Sequence, residues 1–177
     1  MIELASIENL NEIMDIINLI KKEMREENNP QWGVFPQDYP NLDVDYIDYP
    51  NRVFVEQDIN SKELYVYKEN NIVKGIISIC KETDEYQRIV NASNQPALVI
   101  HRLAIHKDYR KLGIAQKLIS FAERKAHDEE IKLIKIDTEQ SNDKMNKLLI
   151  KLGYEFKDKF TLDDYPGVYI YYEKNIK

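Results

Sequence analysis

The strongest structural signal in this chain is Ala97-Leu-Val-Ile-His-Arg-Leu-Ala-Ile105, which leads through His106-Lys-Asp-Tyr109 into Arg110-Lys-Leu-Gly113-Ile-Ala115. The first nine residues are mostly apolar and partly β-branched, which predicts a buried strand. Apolar residues then recur at helical spacing from Ile114 to Ala126. The segment therefore predicts a buried strand that enters a helix through a short basic loop.

The start of this predicted helix is a candidate anion site. Backbone N–H groups in a first helical turn have no partner within the helix, and the helix dipole makes that end positive. A phosphate group fits there. Gly113 and Ala115 leave room for close approach to the backbone, and Arg110 and Lys111 add charge suited to a diphosphate. Taken alone, Arg-x-x-Gly-x-Ala is also typical of a basic turn that caps a helix. It matches neither a Walker A loop nor the Gly-x-Gly-x-x-Gly of dinucleotide binders.

The N-terminal residues predict an amphipathic helix. Ser6 is a suitable N-cap, and the helix ends before Pro30 because the residue that precedes a proline avoids helical geometry. The apolar stripe expected to face the core consists of Leu10, Ile13, Met14, Ile17, Ile20 and Met24.

Residues 30–50 differ from their surroundings because they hold four prolines and many aromatic residues. This composition predicts a long irregular loop, and such loops often form lids or binding loops. A packed surface loop whose aromatic residues cover the core is the alternative. A short helix from Arg52 to Ile59 is expected to follow, with Asn51 as its N-cap.

The rest of the chain predicts a mixed sheet. Strands at Leu64–Tyr67 and Ile72–Cys80 flank a turn and form a hairpin. Strands and helices then alternate, which implies at least one parallel crossover and helices on both faces of an α/β, mixed-sheet fold. After the strand and helix already described, the predicted elements are a strand at Ile131–Thr138, a helix at 142–152 stopped by Gly153, a strand opening at Tyr154 and a last strand at Val168–Glu173.

Composition limits the classes of function. The chain has 177 residues, 43% hydrophobic and 32% charged, which predicts one globular domain over residues 1–177. A net charge of −6 argues against a nucleic-acid partner. We find no apolar run of the roughly 18–20 residues that span a membrane, and Met1–Leu4 does not open a signal peptide, so we expect a cytoplasmic protein. Cys80 is the sole cysteine, and no Cys/His cluster suggests a metal.

The run from Leu103 to Leu118 resembles the acetyl-CoA motif of the GNAT superfamily of N-acetyltransferases, whose usual form is Leu-x-Val-x-Pro-x-x-Arg-x-x-Gly-x-Gly/Ala. A looser similarity to a bacterial GNAT subgroup begins at Gln31-Trp32 and continues with Tyr49-Pro-Asn-Arg52, Phe54 and Asp58-Ile59. A second family block stands at the expected distance and comprises Ile136-Asp-Thr138, Asn142-x-x-Met145-x-x-Leu148 and Lys151-Leu-Gly-Tyr154.

The resemblance implies a sheet that splays between two parallel strands, with acetyl-CoA bound in the opening. The pantetheine arm would pair with the backbone of Leu103, Ala104 and Ile105 like an added strand. Asn142 matches a family asparagine near that arm, although its position also suits an N-cap. The diphosphate would contact the backbone amides of Arg110, Lys111, Leu112, Gly113, Ile114 and Ala115.

The implied reaction is direct attack by a primary amine of a small molecule or peptide on the thioester of acetyl-CoA. Backbone N–H groups of the strand at residues 101–105 would stabilise the oxyanion. Many family members carry a tyrosine as general acid where this chain has Leu149. A CoA-binding module without catalysis, acting as a sensor or partner protein, is therefore the alternative, and another binder of nucleotide diphosphates is a third.

For the base, His101 is the first candidate, because alternation along the strand would place it on one face with Val99 and Leu103. Glu139, expected just past the next strand, is the second. A satisfied strand histidine and a solvated loop residue are the respective alternatives. Cys80 is an unlikely acyl carrier because nothing nearby in the sequence would activate it.

The 30–50 loop is a candidate acceptor site. Trp32 and Tyr49, with Tyr39 and Tyr46, can hold an ammonium ion by cation–π contact. Family members often pair through their C-terminal strands, which suggests a homodimer with Tyr169–Tyr172 as a candidate interface. Core packing explains that aromatic run equally well. The acidic residues that would assist ammonium binding are Asp43, Asp45 and Asp48.

Overall fold

Strands and helices alternate along the chain in the computed structural model, which describes residues 1–41, 43, 46–82, 86, 88–163 and 165–177. The strands are β1 (Ile2–Leu4), β2 (Leu64–Glu69), β3 (Ile72–Lys81), β4 (Ala97–Ile105), β5 (Leu133–Glu139), β6 (Glu155–Leu162) and β7 (Tyr165–Asn175). The α-helices are α1 (Leu10–Glu26), α2 (Arg52–Asn60), α3 (Ile114–Asp128) and α4 (Asp143–Lys151).

The described strands form one sheet in the order β1-β2-β3-β4-β5-β7-β6. Strands β4 and β5 run parallel and are joined by α3, whereas the other neighbouring pairs in the described sheet are antiparallel. The predicted mixed sheet with a parallel crossover is thus confirmed. Pairing between β4 and β5 runs from Ala97↔Leu133 to Ile100↔Ile136 and stops there, so the C-terminal ends of the two strands are separate.

Local sequence signals explain several element boundaries. Asn51 caps α2, because its side chain accepts hydrogen bonds from the N–H groups of Val53 and Phe54. The β2–β3 turn places Asn70 and Asn71 at φ values of 54° and 61°, a conformation that asparagine tolerates better than most residues. These elements agree with the predictions made from the sequence.

Helices cover both faces of the sheet, as predicted. Helices α3 and α4 pack on one face, and α1 and α2 pack on the other. Among the described residues, no helix is both long and apolar enough to cross a bilayer. The α3–α4 core includes Ile77, Leu98, Ile100, Leu118, Ile119, Ile134, Ile136 and Leu149. The α1–α2 core includes Leu10, Ile13, Ile17, Val55, Val66, Ile76 and Ala104.

The C-terminal strand is longer and more deeply buried than its sequence suggested. It begins at Tyr165, three residues before the predicted start, and lies between β5 and β6 inside the sheet. Tyr169, Tyr171 and Tyr172 are 3%, 0% and 2% exposed. The aromatic run therefore packs in the core of this chain, and the prediction that it offers a dimer interface is wrong. A homodimer through another surface stays a prediction.

Gly75 allows β3 to lie close to β4 and α3. An added Cβ would stand 2.7 Å from Cδ1 of Ile105, 3.2 Å from the carbonyl oxygen of Ala104 and 3.3 Å from Cγ2 of Ile114. We expect Gly75→Ala to lower the free energy of unfolding by about 1–3 kcal/mol, because the core there is already full. Urea unfolding measures this change. An unchanged or higher stability would contradict the packing described here.

Candidate active site

Two cavities meet where β4 and β5 separate. The first, here called the acceptor cavity, has a volume of 530 Å³ and lies between the strand ends and the loops at 30–50 and 82–96. The second, the cofactor groove, has a volume of 390 Å³ and lies between the C-terminal half of α1, the β4–α3 loop and α4. Both cavities are lined by Met24, Leu103, Asn142 and Met145. The opening in the sheet therefore connects them.

A β-bulge in β4 shapes this opening. His101 pairs with Ser78 and Ala104 pairs with Ile76, so two residues of β4 stand opposite the single residue Ile77. Arg102, one of those two, has a φ of +48°. The extra residue reverses the alternation of the strand.

The bulge corrects one prediction. Leu103 packs with the α3–α4 core, on the same face as Ile100, whereas Val99 packs on the opposite face. The expectation that Val99, His101 and Leu103 share a face is therefore wrong for Leu103. Regular alternation could not have revealed the bulge, because it is a departure from that alternation.

The cofactor groove contains nearly all of the residues predicted for the cofactor. Leu112 is the exception, because its side chain is 60% exposed and does not line the groove. The predicted residues that do line it are Leu103, Ala104, Ile105, Arg110, Lys111, Gly113, Ile114, Ala115 and Asn142.

The β4–α3 loop presents a row of backbone donors. Lys111 and Gly113 have φ values of +63° and +74°, and Gly113 is the N-cap of α3. Within the described part of the chain, the N–H groups from Lys111 to Gln116 donate to no other group. A Cβ on Gly113 would meet nothing within 4 Å. Successive unpaired N–H groups at a helix start form a concave site that fits a phosphate.

The side chain of Arg110 does not have the position expected from the sequence. Its Nη1 and Nη2 donate to the carboxylate of Glu23 on α1, with Nη1 at 3.2 Å from Oε1, and its Nε donates to the Ile105 carbonyl at 3.2 Å. The positive charge of Arg110, which was predicted to bind a diphosphate, is therefore paired with a carboxylate of this chain. Lys144 of α4 makes a second ion pair at the end of α1, because its Nζ lies 2.7 Å from Oε1 of Glu27, the C-cap of that helix.

The acceptor cavity is lined by aromatic side chains from three segments of the chain. Trp32 and Tyr49, the two residues predicted for the substrate, both line it. Tyr39 does not, because it lines a separate cleft beside Arg25 and Asn29. The aromatic residues of the acceptor cavity are Trp32, Tyr46, Tyr49, Tyr86, Phe160, Tyr165 and Tyr169.

The aspartates of the 30–50 loop that the structure describes do not line this cavity. Asp48 forms an ion pair with the buried Lys21, with Oδ2 at 3.2 Å from Nζ, and its carbonyl accepts from the same Nζ at 2.6 Å. Burial lowers the pKa of Lys21, although Asp48 opposes this shift. Asp43 is exposed, and Asp45 lies outside the described residues. The loop is thus held against α1 through Asp48, and the carboxylate of Asp48 is already paired with Lys21.

The two candidate bases have different positions. His101 lines the acceptor cavity. Glu139 is the last residue of β5 rather than a loop residue, is 4% exposed and lines neither cavity. Its Oε2 accepts hydrogen bonds from the backbone N–H (2.7 Å) and the hydroxyl of Ser141. A carboxylate held in this way is typical of a turn, so His101 is better placed for contact with a substrate.

No tyrosine replaces the general acid at the expected position. Leu149 has no exposed surface and packs in the α3–α4 core. Tyr154 is 3% exposed, belongs to the same core and lines neither cavity, so it is not a substitute. Within the acceptor cavity, burial raises the pKa of Tyr165 and of Tyr169. These phenols are therefore neutral at physiological pH and act as hydrogen-bond donors rather than bases.

Asn142 stands at the junction of the two cavities. Its Oδ1 accepts the Met145 N–H at 3.3 Å, which confirms the N-cap, and its Nδ2 donates to Oε1 of Gln31 at 3.2 Å. The Thr138 hydroxyl donates to the same Gln31 oxygen at 3.1 Å. Tyr165 donates to the Gln31 carbonyl at 2.9 Å. Gln31 thus links α4, β5 and β7 at the opening.

Sequence reasoning missed three charged groups of the acceptor cavity, which are Arg88, Arg102 and Asp137. Arg88 lies 3.5 Å from Asp163 between Nη1 and Oδ2. Arg102 lies in the bulge and binds Asp58 of α2. Asp137 of β5 accepts a hydrogen bond from the Tyr86 hydroxyl at 2.5 Å. Arg102 could have been noticed as a charged residue within a mostly apolar strand. Asp137 gave no such local signal, because its partner Tyr86 is 51 residues away in sequence.

The fold and the two connected cavities can be compared with known proteins. The sequence profile of the acetyltransferase (GNAT) family matches residues 21–154. This chain belongs to that family. An uncharacterised N-acetyltransferase of Bacillus subtilis (strain 168), YesJ, is 21% identical over 100 residues, which cover 55% of this GNAT chain and 56% of the relative. The match thus spans little more than half the length of that relative.

Solved GNAT structures share the architecture over the whole chain. An acetyltransferase of the GNAT family from Streptococcus agalactiae 2603 has a TM-score of 0.81 at 25% identity and covers 100% of this chain and 95% of its own. An N-acetyltransferase of Staphylococcus aureus Mu50 has a TM-score of 0.70 at 20% identity, with coverage of 100% and 98%. The ribosomal-protein-S18-alanine N-acetyltransferase of Escherichia coli has a TM-score of 0.65 at 10% identity, with coverage of 99% and 93%. The last two show the fold alone.

The Glu23 carboxylate should oppose the binding of an anionic cofactor to this GNAT chain. We expect Glu23→Gln to tighten acetyl-CoA binding by about three- to tenfold at low ionic strength, because it removes a negative charge from the groove and releases Arg110. Titration calorimetry measures the affinity. Glu26→Gln is the matched control, since Glu26 is exposed on the same helix and does not line the groove. Weaker binding by Glu23→Gln would show that the Arg110–Glu23 pair shapes the groove for the cofactor.

Proposed function

We propose that this GNAT chain is an acetyl-CoA-dependent N-acetyltransferase that acts on a primary amine of a small molecule or peptide. One observation carries the proposal: the cofactor groove and the acceptor cavity meet at the end of the β4–β5 pairing and share Leu103 and Asn142. A thioester that lies along β4 can therefore face an amine that enters from the aromatic side. Direct transfer needs no acyl-enzyme intermediate, and Cys80 lines neither cavity.

The residues of the groove fit coenzyme A. The unpaired N–H groups from Lys111 to Gln116 suit its diphosphate. The edge of β4 that faces β5 is unused beyond Ile100, so it suits the amide groups of a pantetheine arm. Acetyl-CoA serves here as a substrate that supplies the acetyl group.

The transfer itself requires three functions. The amine nitrogen attacks the thioester carbonyl after losing a proton, and His101 is the candidate acceptor of that proton. Backbone N–H groups at residues 101–105 are the candidate donors to the tetrahedral oxyanion. The attacking nitrogen then gives up a second proton to solvent and the C–S bond breaks, which leaves the amide and the CoA thiolate. The thiolate takes up a proton from water or from a neutral group of the cavity.

Substitution of His101 tests its proposed role. We expect His101→Gln to lower kcat/KM by about 10²–10⁴-fold and to abolish the rise of the rate with pH that a neutral imidazole base produces. Steady-state kinetics from pH 5.5 to 9 measure both effects. His127→Gln is the control, because His127 is exposed in the last turn of α3 and lines neither cavity. A wild-type pH profile in His101→Gln would exclude this base.

Substitution of Trp32 tests the acceptor cavity. Trp32 is 6% exposed, so Trp32→Phe is preferred to alanine because it keeps much of the buried volume. We expect the acceptor KM to rise by about fivefold, since phenylalanine binds an ammonium ion less strongly than tryptophan, while acetyl-CoA affinity stays constant. Tyr39→Phe should leave KM unchanged. Equal KM values for wild type and Trp32→Phe would remove the 30–50 loop from acceptor recognition.

A combined binding and turnover experiment tests the function as a whole. Calorimetry first measures the binding of acetyl-CoA. Thiol release and the mass of the product are then measured with a panel of aliphatic amines, aromatic amines and peptides. Binding with amine-dependent thiol release supports the enzyme. Binding without turnover supports a CoA-binding module, which the buried Leu149 at the usual general-acid position favours. Binding of ATP or NAD in place of CoA would overturn both.

A further inference from the structure

Arg102 has an unusual backbone conformation for its residue type. It is a non-glycine residue at φ +48° within β4, at the bulge that separates His101↔Ser78 from Ala104↔Ile76. Such a conformation is unfavourable for an L-residue and persists only where the surroundings hold it. Here the hydrogen bonds that the Arg102 side chain makes to neighbouring elements hold the conformation.

The guanidinium of Arg102 is bound on three sides. Its Nε and Nη2 donate to Oδ2 and Oδ1 of Asp58 at 2.7 and 2.5 Å, and its Nη1 donates to the Tyr49 hydroxyl at 2.6 Å. The side chains of Arg102 and Asp58 are 12% and 7% exposed. A bidentate, buried ion pair of this kind has a narrow range of geometries. It therefore joins β4, α2 and the 30–50 loop at defined distances.

These contacts connect the reacting strand to the aromatic wall of the acceptor cavity. Arg102 and Tyr49 line the cavity. Asp58 does not line it, so it influences the cavity only through its contact with Arg102. The Tyr49 ring packs against Phe54 at 5.0 Å and against Tyr165 at 6.2 Å between ring centroids. Its carbonyl also accepts the Gly33 N–H at 2.7 Å, next to Trp32. A shift of Tyr49 would therefore displace the rings of Phe54 and Tyr165 and also the backbone next to Trp32.

We propose that Arg102 is a positioning residue for the acceptor: through Asp58 and Tyr49 it fixes the distance between the β4 bulge and the aromatic wall of the cavity. The inference rests on the proposed transferase function, which supplies the acceptor. Its effect is confined to the acceptor, because none of its three bonds reaches the cofactor groove. An aromatic wall that has moved away from the acceptor binds it less tightly, so the loss of this distance should appear as a higher acceptor KM.

Three variants separate the contacts. Tyr49→Phe removes only the hydroxyl that accepts from Arg102. Arg102→Gly removes the guanidinium but keeps a residue that favours positive φ. Arg102→Lys keeps the charge and loses the bidentate fork. Arg52→Gln is the matched control, because Arg52 pairs with Glu56 on the exposed side of α2.

Kinetics of the folded variants provide the first measurement. We expect Arg102→Gly to raise the acceptor KM by about tenfold or more and Tyr49→Phe by about threefold, with acetyl-CoA affinity within about twofold of wild type. Arg102→Lys should fall between Arg102→Gly and wild type. A purely structural role would instead lower the folded fraction and kcat while leaving KM unchanged. An unchanged KM in both Arg102→Gly and Tyr49→Phe, or an equal loss of acetyl-CoA affinity, would overturn the proposal.

Fluorescence provides a measurement that needs no turnover. Trp32 is the single tryptophan of the chain and lines the acceptor cavity. We expect its emission to shift to the red and its quenching by acrylamide to increase in Arg102→Gly, but not in Arg52→Gln. If wild type binds acetyl-CoA yet transfers to no amine, the proposed function fails while this readout still decides the role of Arg102. If folded Arg102→Gly then showed the same fluorescence as wild type, the positioning role of Arg102 would be excluded.

Discussion

The separation of β4 and β5 after the Ile100↔Ile136 pair is the constraint on which the site depends. A strand that loses its neighbour leaves backbone N–H and C=O groups that need other partners. In this GNAT chain the unused edge of β4 borders the cofactor groove on one side and the acceptor cavity on the other. The bulge at Arg102 turns that edge at the same point. In the proposed transferase, strand pairing therefore determines where the thioester and the amine would meet.

In the proposed transferase, the two sides of the opening would use different means of recognition. The cofactor groove relies on backbone donors, whose directions follow from the positive φ angles of Lys111 and Gly113 and from the start of α3. The acceptor cavity relies on aromatic side chains that come from the 30–50 loop, the 82–96 loop and the β6–β7 hairpin. A backbone site tolerates changes in sequence, whereas an aromatic cavity changes with each substitution. For the proposed transferase, this difference would allow one fold to combine a constant cofactor site with a variable acceptor cavity.

Paired charges, buried or half-buried, hold the elements around the site together. Arg102 joins β4 to α2 through Asp58, and Arg110 joins the β4–α3 loop to α1 through Glu23. Lys135 of β5, which is 1% exposed, binds Glu82 at 2.5 Å and the Ser93 carbonyl at 2.7 Å, so it holds the segment that contributes Tyr86 to the acceptor cavity. Burying a cation requires a paired anion and further hydrogen bonds. Each of these lysine and arginine side chains is therefore occupied in positioning an element.

Local sequence alone determined the strand at 97–105, the Asn51, Asn142 and Gly153 signals at helix ends, and the loop whose amides suit a phosphate, because these features depend on neighbouring residues. Tertiary structure decided the bulge, the partners of Arg102 and Arg110, and the burial of Tyr169–Tyr172. Asp58 lies 44 residues from Arg102, and Glu23 lies 87 residues from Arg110. No local pattern encodes such pairs. Whether a basic residue faces a ligand or a carboxylate depends on which distant element folds against it.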